Sequence, residues 1–188
     1  LAGAERGGRV ERLVLALDGD DIRTFHLTTG FQRAVATAAV TEGEMARAAR
    51  EATAEIGVLA RATVADDGAL RGIPTVHARE DLAGYVLDGR PLASLVGFQG
   101  RLVDVAADVT VVPLMVSGAA QAVAPQGRAA SVASGAHALG RLLAASGVTD
   151  AAIVRLGPDV TSLTLLRGGR VAATRSFSLG RSEMLGRE

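Results

Sequence analysis

The alternation of apolar and polar positions divides the chain into short extended runs and two helical stretches. Leu13-Val-Leu-Ala-Leu17 is an unbroken apolar run halted by Asp18-Gly-Asp-Asp21, the pattern of a buried strand entering a turn. Ile22 to Thr29 alternates loosely, and Gly19 can supply the positive φ of a tight reversal, so the two runs are expected to form a hairpin. Thr41-Glu-Gly-Glu44 carries a capping-box pattern, with Thr41 accepting from the Glu44 amide and the Glu44 carboxylate reaching back. A helix is expected from there. Its apolar positions Met45, Ala48, Ala49, Ala52, Ile56 and Leu59 recur at helical spacing, Arg47 and Glu51 can pair outside, and Gly57 is expected to end it before Leu59.

Ala65 to Gly72 has no period and two glycines, as a surface loop does. Leu82 to Leu87 is apolar around Tyr85, and Asp88-Gly-Arg-Pro91 has turn chemistry. Between Arg101 and Val112 the odd positions Val103, Val105, Ala107, Val109 and Val111 are apolar, while Asp104, Asp108 and Thr110 fall on the other side, predicting a half-buried strand. Gly118 to Gly135 shifts to Ala, Gly, Ser and Gln and loses its period, which places a domain junction near Pro113. Ser134 to Ser146 reads as a helix with Ala136, Leu139 and Leu143 on one face and Gly147 as the residue after its cap. Three strands follow, Ala151 to Leu156, Val160 to Leu166 and Val171 to Leu179, joined by Gly157-Pro-Asp159 and by Arg167-Gly-Gly-Arg170. The glycine-rich lead, Leu1 to Gly8, is expected to be disordered, and the final meander to need further sequence to cover its second face.

Composition narrows the function classes. A chain of 188 residues with 48% hydrophobic content can bury a core in one domain or two small ones. With 20 acidic residues against 20 basic ones spread along its length it presents no stripe for a nucleic acid, so none is expected as a partner. All 20 basic residues are arginine, with lysine and asparagine missing, which fits codon composition. The absence of cysteine removes disulfides, thiolate catalysis and cysteine-type zinc sites. No apolar stretch approaches the ~20 residues of a spanning helix, and Leu1 to Arg12 has no signal-peptide core, so a cytoplasmic chain is expected. His26, His77 and His137 lack metal spacing, Asp18, Asp20 and Asp21 lack the rest of a calcium loop, and no Gly-x-Ser-x-Gly elbow occurs. Neither a catalytic residue nor a resident metal is expected.

The order of the pieces resembles the FtsA-like, actin-family cell-division proteins. Leu13 to Thr24 is similar to the opening strand and turn of that family's insertion subdomain, the strand-helix-strand-strand module called SHS2, with Asp21 where the family has histidine. Thr41-Glu-Gly-Glu-Met45 stands at the helix start, and Tyr85-Val-Leu-Asp-Gly89 followed by Leu95-Val-Gly-Phe-Gln-Gly-Arg-Leu102 resembles the family's later motifs, including the spacing of Gly97 and Gly100. Ala152 to Gly169 looks like the phosphate-2 hairpin of actin-like ATPases. PilM-type pilus adaptors share this architecture. The resemblance implies an α+β fold with an SHS2-like subdomain over residues 1–113 and part of an actin-like, ribonuclease H-like subdomain over 114–188.

The phosphate-2 chemistry looks dismantled. Where the family has an aspartate this chain has Arg155, its glycine run has become Gly157-Pro158-Asp159, and the last aspartate is Ser162. Proline donates no hydrogen bond and a carboxylate repels a phosphate. Gly157, Asp159 and Thr161 therefore mark a vestigial cofactor site, with ATP and magnesium expected only if that degenerate site is still competent. The resemblance implies a non-catalytic scaffold that meets other cell-division proteins, and its own copies where filaments form. The segments assigned to those contacts are Asp18, Asp20 and Asp21, then Asp67 and Arg71, then Gly97 and Gly100. A place at the inner face of the membrane would come through further segments or partners.

Overall fold

The computed structural model describes residues 12–124 and 129–184. In chain order the elements are β1 (Arg12–Leu17), β2 (Arg23–Gln32), α1 (Glu42–Asp66), β3 (Thr75–Leu87), β4 (Arg90–Leu92), β5 (Leu102–Pro113) and α2 (Leu114–Ala122). They continue with β6 (Ala129–Ser134), α3 (Gly135–Ala145), β7 (Ala151–Leu156), β8 (Thr161–Arg167), β9 (Arg170–Phe177) and α4 (Arg181–Met184). The class is α+β, as expected. The strands form a parallel pair β1-β6, a four-stranded sheet ordered β2-β5-β3-β4 and a meander β7-β8-β9. The expected disorder of Leu1 to Gly8 lies outside the described residues.

Two compact units divide the chain. One comprises residues 25–71 and 80–109; the other gathers 12–24, 72–79 and 110–184. This differs from a single cut near Pro113, because the first strand and the start of β3 pack with the C-terminal part.

In the first of these units α1 starts where the sequence places it. The Thr41 hydroxyl accepts from the Glu44 amide at 3.2 Å, an N-cap contributing about 1 kcal/mol. The Glu44 carboxylate reaches back to the Thr41 backbone as the capping box requires, and it also binds Arg33. Gly57 does not end the helix, which continues to Asp66. Ala48, Ala52, Ile56 and Ala60 are buried at four-residue spacing, so the apolar stripe carries through the glycine, and Ala60 rather than Leu59 faces inward. The Asp88-Gly89 turn has φ of 48° and 81° and joins β3 to β4 with Leu87 opposite Arg90, the positive-φ pair that a two-residue hairpin needs.

Three further expectations are corrected. First, β1 and β2 are not a hairpin. Gly19 is not among the positive-φ residues, its carbonyl receives the Ile22 amide at 3.4 Å, and β1 runs parallel to β6 with Leu15 opposite Val132. Second, β5 is not half-buried: Val105 to Pro113 is buried at every position. The polar members that suggested a wet face are hydrogen-bonded instead, Thr110 to Thr24 at 3.0 Å and Asp108 to His26 at 2.8 Å. Third, the aperiodic stretch after Pro113 contains α2 and β6. Ala120, Ala130 and Val132 join Ile22 and Val112 in a core flanked by Leu13, Leu15 and Leu17, where small side chains provide the packing without a visible period.

The C-terminal helix and meander follow the sequence closely. Ser134 caps α3 through the His137 amide, and Gly147 at φ 95° closes it, with the Val148 amide returning to Leu143. Gly140 lets α3 lie against the meander; a Cβ there would stand 2.6 Å from Thr164 Cγ2. Thr164 is directly opposite Ile153 and Thr174, so that face packs on the helix. The opposite face exposes Val154, Leu156, Leu163 and Phe177.

Candidate functional site

The hairpin between β7 and β8 holds the residues assigned to a vestigial phosphate loop. Leu156 pairs with Thr161, so Pro158-Asp159 is a two-residue tip closed by the Gly157 amide donating to the Val160 carbonyl at 2.9 Å. Glycine is required there, because a Cβ would stand 2.7 Å from that carbonyl oxygen. The start of α4 lies on the tip: the Arg181 amide donates to the Gly157 carbonyl and the Ser182 amide to the Pro158 carbonyl, both at 2.9 Å. Gly180 has no room for a side chain beside Pro158. The Asp159 side chain is exposed, while Thr161 is 3% exposed and its hydroxyl donates to the Leu179 carbonyl.

Arg155, one strand position back, reaches Asp18 with Nη2 to Oδ2 at 2.5 Å. Asp18 directly follows β1 and its carboxylate lies against Gly135, the first residue of α3, where a Cβ would stand 2.7 Å from Oδ2. The helix start favours a negative charge. Oδ1 of Asp18 is buried and makes no hydrogen bond among the described residues.

The contact segments assigned from sequence separate into exposed and structural members. Asp18 is 15% exposed and ion-paired, and Asp20 accepts from the Ser178 hydroxyl at 2.8 Å. Asp20 and Asp21 are half-buried, so this turn is tied down rather than free. Asp67 caps α1, and its carboxylate accepts from the Ala69 amide at 2.9 Å, which leaves Arg71 as the exposed charge of that loop. Gly97 is exposed with φ 86°. Gly100 is buried, and a Cβ on it would stand 2.6 Å from Leu87 Cγ.

Sequence reasoning missed what holds Gly97 and Gly100 in place. The Val40 amide donates to Phe98, the Gly97 amide to Val40 and the Gly100 amide to Ala36, which laces residues 36–40 to 97–100. Beneath lies Arg33, its side chain 3% exposed, which forks onto the Glu44 carboxylate at 2.7 and 3.0 Å and donates to the Gly100 carbonyl at 2.9 Å. The arginine hydrogen bond and charge hold Glu44 below the usual carboxylate range, and the same contact raises Arg33. Asp88 accepts from the Leu102 and Arg101 amides at 2.8 and 3.1 Å, and these bonds hold its carboxyl low. The bracing displays Val35, Val96 and Phe98, which are 57%, 37% and 49% exposed. No sequence signal marks it, because Arg33 and Glu44 stand 11 residues apart and Arg33 stands 67 residues before Gly100, and nothing in that spacing pairs them.

Among the described residues no group of three His, Asp or Glu side chains could hold a metal, and no helix is long and apolar enough to cross a membrane. The sequence matches no family model, and no curated protein matches it significantly.

Proposed function

We propose that this chain is a non-catalytic interaction module of the FtsA-like, actin-family cell-division type, working in the cytoplasm through protein contacts and keeping only the remnant of a nucleotide site. The observation that carries the reading is the hairpin tip. A phosphate cradle needs several backbone N–H groups converging on an anion. Here the Gly157 N–H is engaged by Val160 and Pro158 has none, while Arg155 is held by Asp18. An exposed carboxylate, Asp159, completes a tip ill-suited to a triphosphate.

The succession β2, α1, β3, β5, with α1 buried along one stripe, supports a strand-helix-strand-strand module over residues 25–109 rather than 1–113, with β2 and not Leu13 to Thr24 as its opening strand. Its braced 97–100 loop, with apolar side chains outward, is the kind of rigidly held loop that carries recognition. Partners of that loop would be other division proteins.

Two measurements test this. Titration calorimetry with ATP, with and without magnesium, is expected to give no heat of binding at ligand concentrations up to about 1 mM. Micromolar affinity would restore the ATPase reading. Capture of division proteins is expected to fall when Phe98→Asp and Arg71→Glu are introduced together; capture unchanged by both would remove the adaptor reading.

A further inference from the structure

We infer that the Arg155–Asp18 ion pair is an internal latch, which holds the β7-β8-β9 meander to the β1-β6 pair with an arginine where a ligand would otherwise be needed. The inference rests on the reading of the β7-β8 tip as a vestigial site and names what fills it.

The two sheets belong to one unit and meet at the start of α3. β6 runs straight into that helix, with Ser134 as the cap and Gly135 as its first residue, and the helix then packs along β8 and β9. The chain passes from one sheet to the other through α3. The segment that follows β1 returns to the same seam. Among the described residues three polar ties join it to the meander: Asp18 to Arg155 at 2.5 Å, the Ser178 hydroxyl donating to Asp20 at 2.8 Å, and Nη1 of Arg23 donating to the Ser176 carbonyl at 3.2 Å.

The first of these ties has the most at stake. The Asp18 side chain is 15% exposed, and a Cβ on Gly135 would stand 2.7 and 2.8 Å from its two oxygens, so the carboxylate is pressed on the start of α3. A helix start offers about half a positive charge. That falls short of one, and Oδ1 is buried with no hydrogen bond, so a carboxylate this enclosed needs a full cation beside it. Arg155 is that cation.

Its register explains how it reaches. Arg155 stands opposite Ser162 and Ser162 opposite Ser176, a row on the meander face that turns toward α3. Both serines are buried and short, whereas the arginine is long enough to cross to Asp18 with its side chain still 45% exposed at the rim. The sign of the charge matters as much as the reach. An aspartate at 155, as in the family the chain resembles, would turn two carboxylates toward one seam and require a cation between them. Arginine makes the pair self-sufficient, and the two sheets keep one arrangement whether or not a nucleotide is offered.

The chain has no cysteine, so two introduced thiols can carry spin labels. Met115→Cys on α2, which packs on β6, and Arg167→Cys at the end of β8 set exposed labels on the two sides of the seam. Pulsed electron spin resonance is expected to give one narrow distance distribution, the same with and without ATP and magnesium. Adding Arg155→Ala is expected to bring in a second, longer distance, and Arg155→Lys, which keeps the charge, to retain most of the native one. Arg155→Ala is also expected to lower the melting temperature by about 5 °C or more, and Asp18→Asn combined with it to cost no more than Arg155→Ala alone, where unlinked residues would lose the sum. Should Arg155→Ala not fold, Arg155→Gln against Arg155→Lys decides in its place. Distances unmoved by loss of the charge, native distances that shift with ATP, or additive losses overturn the latch. Heat of ATP binding with unmoved native distances would instead strike the vestigial reading alone, so the two failures are told apart.

Discussion

Arg33 holds the smallest part of the molecule with the widest reach. It is a buried cation whose guanidinium ties the start of α1 to the carbonyl of Gly100. Removing one member of a buried pair strands the other, which typically costs about 3 kcal/mol. Arg33→Ala is accordingly expected to lower stability by about that much in urea unfolding and to loosen the 97–100 loop, while Arg47→Ala, whose exposed contact to Glu51 spans 3.9 Å, should change little. The pH dependence has a definite sign. A carboxylate held low in the folded state stabilises fully above its unfolded value and ceases to do so as pH falls through the lowered folded value. Both Glu44 and Asp88 are of this kind. The melting temperature of the native chain is expected to drop as pH falls below about 4.3, and the Glu44→Gln variant, already weakened, should show a shallower drop.

At the level of elements, what the sequence disclosed and what it hid have different physical origins. Strands and helices framed by specific turn chemistry were legible: the Asp88-Gly89 and Gly168-Gly169 reversals, the Thr41 and Ser134 caps, and Gly147 all stand where their residue types point. Elements made of small residues were not, since Ala120 of α2 and Ala130 and Ser134 of β6 become buried through neighbours distant in sequence rather than through amphipathic spacing. Pairing was hidden for the same reason, because β1 finds β6 about a hundred residues later and no local signal competes with the false hairpin. Of the assigned contact positions, Gly97 and Arg71 are exposed, whereas Asp18 and Gly100 are structural. Sequence reading marked the segments and could not tell their inner residues from their outer ones. The tip of the β7-β8 hairpin offers a test at this scale. Its Gly157 and Pro158 carbonyls depend on the amides of Arg181 and Ser182, so ending the chain after Ser178 should raise amide exchange of Gly157, whose own bond to Val160 closes the tip, while the Leu163 and Thr164 amides remain protected.

Across the whole molecule, the meander shows one face to α3 and the other to water. The outward set, Val154, Leu156, Leu163 and Phe177, lies on neighbouring strands, with Val154 opposite Leu163 and Thr161 between Leu156 and Phe177. Their contiguity makes the molecule adhesive in a directional way. Retention on a phenyl resin and fluorescence of an added naphthalene sulfonate dye are expected to fall in a Val154→Thr, Leu163→Thr double variant whose melting point hardly moves, since those side chains contribute little where they already meet water. Storage and handling would follow from the same geometry: ammonium sulfate, by strengthening the avoidance of water, should drive this chain out of solution sooner than its neutral charge alone dictates, with the strand face leading the way.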